Sequence, residues 1–108
     1  MSRGRILVVD DHSKIRTILS RILEKEDYEV ELAANGEEAL EKIFNQIPDL
    51  VLLDVMMPKM DGLEVCRHVK SNYKYSFIYI ILLTAKNTTE DEVTGLDTGA
   101  DEIGRAHV

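Results

Sequence analysis

Acidic or hydroxyl side chains stand at the carboxyl ends of three short apolar runs in this sequence. Asp10 and Asp11 follow the first run. Asp54 follows the second, and Thr84 follows the third. If the runs are neighbouring parallel strands, these side chains meet in the crevice where open α/β sheets bind ligands. Three crowded carboxylates repel one another unless a cation lies among them. Mg²⁺ suits this set because it prefers oxygen ligands and often bridges to phosphate.

One strand-end aspartate is a common structural feature, but four polar positions at three strand ends favour a functional site. The rest of the sequence has the pattern of a parallel sheet that would position them. The runs at 6–9, 50–53 and 77–83 are continuously apolar, as expected of strands covered on both faces. Residues 28–32 alternate between apolar and acidic, which predicts a strand near an edge. Helical spacing of apolar residues recurs in four segments, at 15–23, 39–47, 63–69 and 89–96. This alternation predicts an α/β domain.

The length and composition fit one globular domain. The sequence has 108 residues, of which 44% are hydrophobic and 31% charged. The net charge of −7 and the isoelectric point near 4.9 disfavour direct nucleic-acid binding, which needs a basic surface. Cys66 is the only cysteine, so no internal disulfide can form. We find no stretch suited to a membrane span and no signal-peptide pattern, so we expect no membrane association and a cytoplasmic location.

The motifs around these strand ends closely resemble the receiver-domain family of two-component response regulators. They are ILVVDD at 6–11, LVLLDVMMPKMDG at 50–62, LLTA at 82–85 and GADE at 99–102. The resemblance spans nearly the whole chain to Asp101. It implies a doubly wound five-stranded parallel sheet of order 2-1-3-4-5, with helices on both faces in three α/β/α layers.

The resemblance also implies a role for each strand-end residue. Asp54 would be the nucleophile that a histidine-kinase phosphohistidine phosphorylates. Asp11 would be a direct metal ligand and Asp10 a ligand through water. Asp54 and the backbone carbonyl of Met56 would complete the protein ligands of Mg²⁺, with Mn²⁺ as a second candidate. Thr84 would hydrogen-bond to the phosphoryl oxygens. This is phosphoryl transfer by positioning and charge neutralisation.

Other side chains near the motifs have structural interpretations. His12 and His68 could carry phosphate or bind a metal, but we expect both on helix surfaces. Met56, Met57 and Met60 could form a partner surface, but packing in the loop and core is the favoured interpretation.

The sequence departs from the family pattern near its end. Family members carry a Lys-Pro pair after the fifth strand, where this sequence has Ala106 and His107. Ile103 stands where the family usually has a switch aromatic, and no residues remain for a fifth helix. We therefore expect a single receiver domain over 1–108 that is atypical or truncated after about residue 102. Without that helix one sheet face would be apolar and bare, which favours a homodimer.

The leading functional hypothesis is a phosphoacceptor signalling domain that catalyses only its own phosphorylation and dephosphorylation. Its partners would be a sensor histidine kinase or phosphotransfer protein and an output domain that the sequence does not identify. The alternative is a degenerate receiver that acts as an interaction module without phosphorylation. A Mg²⁺-dependent phosphohydrolase is a third interpretation, although 108 residues leave little chain for substrate recognition.

Overall fold

The computed structural model describes residues 2–58, 60–84 and 99–105 of the chain. Five strands and three helices follow one another within these ranges, as the sequence pattern predicts for an α/β domain. The strands are β1 (Arg5–Val9), β2 (Glu29–Ala33), β3 (Leu50–Asp54), β4 (Tyr79–Thr84) and β5 (Glu102–Arg105). The helices are α1 (Ser13–Lys25), α2 (Gly36–Asn45) and α3 (Gly62–Lys70).

The five strands form one parallel sheet in the order β2-β1-β3-β4-β5. The predicted parallel sheet and its order 2-1-3-4-5 are therefore confirmed. The alternating strand β2 lies at an edge, as predicted. The start of β4 differs from the prediction, because the strand begins at Tyr79 and not at residue 77. A turn precedes it, in which the Ile78 N–H donates to the Tyr75 carbonyl at 3.1 Å, and Phe77 is exposed.

The main core lies between the sheet and helices α2 and α3. Alternate strand residues point to this face, so each central strand contributes two fully buried side chains. From the sheet the core takes Leu7, Val9, Val51, Leu53, Ile80 and Leu82. The two helices add Ala39 and Ile43 from α2, and Val65, Cys66 and Val69 from α3. This face holds the carboxyl ends of the strands in fixed positions.

The opposite face of the sheet is covered less completely. Helix α1 packs against β1 and β2, so helices lie on both faces and the predicted three layers are confirmed. Yet α1 has no buried residue, and its isoleucines Ile15, Ile18 and Ile22 are 42–57% exposed. Within the described ranges α1 is the only helix on this face. These isoleucines expose apolar surface on this side of the domain, whereas the bare sheet face and the homodimer that it would favour stay predictions.

Some sequence predictions fall on residues outside the described ranges. They concern the helix at 89–96, the residues Ala106 and His107, and the absence of a helix after β5. These stay predictions. Among the helices that the structure describes, none combines the length and apolar character needed to cross a membrane.

Truncating an isoleucine to alanine should lower the free energy of unfolding by different amounts on the two helical faces of the sheet. Ile43→Ala in α2 should lower the free energy of unfolding by about 2–5 kcal/mol, because it leaves a cavity in the closed core. Ile18→Ala in α1 should cost less than about 1 kcal/mol, because that side chain is 57% exposed. Urea unfolding of both variants tests this. Equal losses would mean that α1 is covered in solution.

Candidate functional site

The parallel pairing of β1, β3 and β4 brings the predicted residues to one edge of the sheet. Because β1 and β3 are direct neighbours in register, Asp10, which follows β1, lies beside Asp54 at the end of β3. Asp54 pairs with Leu83, so the backbone of Thr84 reaches the same edge. The Thr84 side chain lies outside the part of the chain that the structure describes, and its role stays a prediction.

Three carboxylates and one imidazole meet at this edge. The site can be described by four ligand atoms that all lie within 4.8 Å of one another. They belong to Asp10, Asp11, His12 and Asp54. Asp10 is 6% exposed and is the only charged residue that is buried within the described ranges. The structure thus brings together the three aspartates that the sequence predicts as a metal site.

The turn after β1 orients the first two carboxylates. The backbone N–H of His12 donates to Oδ1 of Asp10 at 2.8 Å, which is an Asx turn. Nδ1 of His12 lies 3.2 Å from Oδ1 of Asp10 and 3.1 Å from Oδ1 of Asp11. The hydrogen bond to Asp10, and then the charge of Asp11, raise the pKa of His12. The Arg16 guanidinium donates to the Asp10 backbone carbonyl at 2.6 Å, which ties α1 to the turn.

Asp54 is partly buried at the end of β3. Burial, followed by the charges of Asp10 and Asp11, raises the pKa of Asp54 to about 6. Two groups lower this pKa. One is the Met56 N–H, which donates to Oδ1 of Asp54 at 3.2 Å, and the other is His12 through its charge. The raised pKa means that the folded chain destabilises the ionised form of this carboxylate when no cation is bound.

The loop after Asp54 is closed by a tight backbone contact. A Cβ at Gly62 would lie 2.2 Å from the Asp54 carbonyl oxygen, so only glycine permits this approach. The Gly62 N–H donates to the Val55 carbonyl at 3.1 Å. Next to it, the Asp61 side chain accepts from the Glu64 N–H at 3.0 Å and caps α3. The start of α3 therefore holds the backbone that follows the central aspartate.

The methionines of this loop divide between core and surface. Met57 is buried and Met60 packs against the core, which confirms the predicted packing for those two residues. The Met56 side chain is 58% exposed, so core packing is wrong for it. Its backbone N–H donates to the Asp54 carboxylate at 3.2 Å. The predicted metal contact of the Met56 carbonyl stays a prediction.

The donor set fits a hard divalent cation. Across residues 2–58, 60–84 and 99–105, no lysine or arginine forms an ion pair with Asp10, Asp11 or Asp54, and only His12 does so. Three carboxylates that have no lysine or arginine partner in these ranges provide the hard oxygen ligands that Mg²⁺ prefers. The residues present therefore match the predicted cation in charge and in ligand type.

Sequence reasoning did not assign His12 to the site. It was expected on a helix surface, whereas the structure places it directly before α1 with its ring nitrogen beside both aspartates. Its position directly after two strand-end aspartates could have indicated a place in the site. The direction of its ring depends on the geometry of the turn, which the sequence pattern does not give. His68 is exposed on α3, as predicted.

Comparison with known proteins identifies relatives over nearly the whole chain. A family model described as response regulator receiver domain matches residues 6–103. Response regulator MprA of Mycobacterium sp. strain KMS is 51% identical over 98 residues, which are 91% of this chain and 42% of that protein. The alkaline phosphatase synthesis transcriptional regulatory protein PhoP of Bacillus subtilis is 49% identical over 98 residues, with 91% and 40% covered. The chain thus spans about two fifths of the length of these relatives.

The fold has similar solved structures. The chemotaxis protein CheY4 of Vibrio cholerae superimposes with a TM-score of 0.91 and 35% sequence identity, and the match covers 97% of this chain and 88% of that one. The N-terminal domain of a response regulator receiver protein from Methanoculleus marisnigri gives a TM-score of 0.89 at 36% identity, covering 99% and 87%.

The pKa of Asp54 predicts how Asp54→Asn affects stability. Because its folded-state pKa of about 6 lies above the ordinary value of 3.8, wild-type stability should fall as the pH rises through that interval. Asparagine has no proton to lose. In metal-free buffer, Asp54→Asn should therefore be more stable than wild type above pH 6, by on the order of 1 kcal/mol after allowance for solvent screening. The advantage should vanish below pH 4.

Urea unfolding at several pH values measures this difference. Glu41→Gln, which neutralises an exposed carboxylate of α2, is the control and should show no such pH dependence. A difference between Asp54→Asn and wild type that is the same at every pH would contradict the raised pKa of Asp54.

Proposed function

Because this chain belongs to the response regulator receiver domain family, we propose that it accepts a phosphoryl group on Asp54 from a histidine kinase in Mg²⁺-dependent two-component signalling. The observation that carries the proposal is the cluster of Asp54, Asp10 and Asp11 at the carboxyl edge of the sheet, with ligand atoms within 4.8 Å of one another. Three acidic groups that face one another with one imidazole suit a site for phosphate and a cation. An ordinary surface turn would not require them.

In the proposed reaction a carboxylate oxygen of Asp54 attacks the phosphorus of a phosphohistidine. The new O–P bond forms as the N–P bond breaks, and the histidine nitrogen of the donor keeps the electron pair. With a pKa of about 6, Asp54 is mostly ionised at neutral pH and can act as the nucleophile. The Met56 N–H keeps one of its oxygens in a fixed direction at 3.2 Å.

The cation would be held by Asp11, by Asp10 through water, by Asp54 and by the Met56 carbonyl. When bound, Mg²⁺ would neutralise charge on the phosphoryl oxygens and on the carboxylates, and Mn²⁺ could replace it. Thr84 would hydrogen-bond to the same phosphoryl oxygens. Since Ala106 stands at the position of the family lysine, the cation and Thr84 would meet most of the added negative charge.

The partners follow from the same proposal. A sensor histidine kinase or a phosphotransfer protein would supply the phosphoryl group. Since the chain spans about two fifths of MprA and PhoP, we propose that it controls an output domain in a longer protein. PhoP is named as a transcriptional regulatory protein, but the net charge of −7 disfavours nucleic-acid binding by this domain itself. A cytoplasmic location is part of the proposal.

A degenerate receiver that acts without phosphorylation is the less favoured alternative. Such a module would not need three mutually repelling carboxylates, one of them buried, because their repulsion costs stability. Their retention in one cluster favours the phosphoacceptor.

Asp54→Asn should abolish phosphorylation of the chain without unfolding it. Incubation with acetyl phosphate and Mg²⁺, followed by intact-mass measurement, should give one phosphoryl adduct on wild type and none on the variant. No adduct should form on wild type when Mg²⁺ is chelated before acetyl phosphate is added. Asp61→Asn is a matched control, since asparagine can also cap α3, and it should keep the adduct.

Other outcomes of the same experiment discriminate the alternatives. Persistence of the adduct in Asp54→Asn would move the site to Asp10 or Asp11. No adduct on wild type would support the degenerate module, and sustained turnover of acetyl phosphate would support a phosphohydrolase.

A further inference from the structure

The imidazole of His12 is the one nitrogen donor in the acidic cluster, and the proposed chemistry gives it no task. Its Nδ1 lies 3.1 Å from Oδ1 of Asp11 and 3.2 Å from Oδ1 of Asp10. We propose that His12 is an additional ligand of the cation and that it makes the site bind borderline divalent ions, such as Co²⁺ and Zn²⁺, far more tightly than three carboxylates alone would. This inference rests on the proposed cation site.

The spacing of the donor atoms fits one coordination sphere. Adjacent ligands of an octahedral ion with bonds of about 2.1 Å are about 3.0 Å apart, and opposite ligands are about 4.2 Å apart. In the metal-free chain the His12 nitrogen has contacts close to the first of these lengths, a hydrogen bond with Oδ1 of Asp10 and an ion pair with Oδ1 of Asp11, and an ion that binds this nitrogen would displace the shared proton. All four donor atoms, including one of Asp54, lie within 4.8 Å of one another. The largest of these distances exceeds that of opposite ligands by at most about 0.6 Å, a difference that side-chain rotation would close.

The local backbone holds His12 in this position. His12 is the N-cap residue of α1, with extended backbone angles of φ −96° and ψ 116°. Serine, threonine, aspartate and asparagine are usual at an N-cap because their side chains bond to the free N–H groups of the helix. The His12 side chain makes no such bond. It turns to the carboxylates instead, while its own N–H donates to Asp10 at 2.8 Å.

The chemistry of the donor decides which ions benefit. Mg²⁺ takes oxygen ligands and keeps several waters, so an imidazole adds little to its binding. Imidazole suits Co²⁺, Ni²⁺ and Zn²⁺, which bind nitrogen and oxygen sites more strongly than Mn²⁺ does. A site with His12 therefore discriminates among divalent ions, and Mg²⁺ occupies it when its concentration greatly exceeds that of the transition metals.

The test is a titration of the metal-free chain with Mg²⁺ and separately with Co²⁺. Wild type, His12→Ala, His12→Gln and Asp11→Ala are compared by NMR shifts for Mg²⁺ and by the visible absorption of bound Co²⁺. His68→Ala is the matched control, because His68 is exposed on α3 and is not part of the cluster. Circular dichroism confirms that each variant is folded.

We expect His12→Ala to weaken Co²⁺ binding by at least about tenfold and to change Mg²⁺ binding by less than about threefold. His12→Gln, which offers an amide oxygen, should resemble His12→Ala with Co²⁺. Asp11→Ala should weaken both ions, and His68→Ala neither. In wild type, Zn²⁺ should shift the Nδ1 resonance of His12 directly, which tests the ligand without any variant.

The outcomes separate this inference from the proposed function. If Asp11→Ala weakens Co²⁺ and Mg²⁺ but His12→Ala weakens neither, the cation site stands and His12 is not its ligand. An unshifted Nδ1 resonance in the Zn²⁺ form also overturns the inference. If wild type binds no Mg²⁺ at Asp11, the proposed function fails as well.

Discussion

The mutual repulsion of three carboxylates at the ends of β1 and β3 is the constraint on which the rest of the structure depends. Two full charges about 4 Å apart near a protein surface repel by roughly 4 kcal/mol, which is large against a total domain stability of about 5–15 kcal/mol. Burial raises the pKa of Asp54 most, and the repulsion by Asp10 and Asp11 raises it further. The chain can relieve this repulsion with a proton or with a cation. A closed core on the α2 and α3 face must hold the strand ends together in either case.

The two helical faces support the site to different degrees. Helices α2 and α3 each bury several apolar side chains against the sheet, and Gly62 at the start of α3 fixes the loop that follows Asp54. The turn with Asp10, Asp11 and His12 directly precedes helix α1. Arg16 of α1 is hydrogen-bonded to this turn through the Asp10 backbone carbonyl. The isoleucines of α1 are 42–57% exposed, so the side of the site next to α1 has less packing behind it.

Much of this arrangement could be predicted from the sequence, for identifiable reasons. Continuous apolar runs indicated the buried strands, and the strand-end positions of Asp10, Asp11 and Asp54 indicated one cluster, because parallel strands end at a common edge. The sheet order came from the family resemblance. Two features could not be predicted: the turn that precedes β4 and the direction of the His12 ring toward the carboxylates. Both depend on local backbone hydrogen bonds, which leave no periodic signal in the sequence. The exposure of Met56 was missed for the same reason.

The most direct test of this account is the titration of the Asp54 side-chain carboxyl by ¹³C NMR, with and without saturating Mg²⁺. The account predicts a midpoint near pH 6 in metal-free buffer. Mg²⁺ should lower that midpoint clearly, because a bound cation favours the ionised carboxylate. A midpoint near the ordinary value of 3.8 without metal, or one near 6 that Mg²⁺ does not move, would contradict the claim that these carboxylates form one cation site.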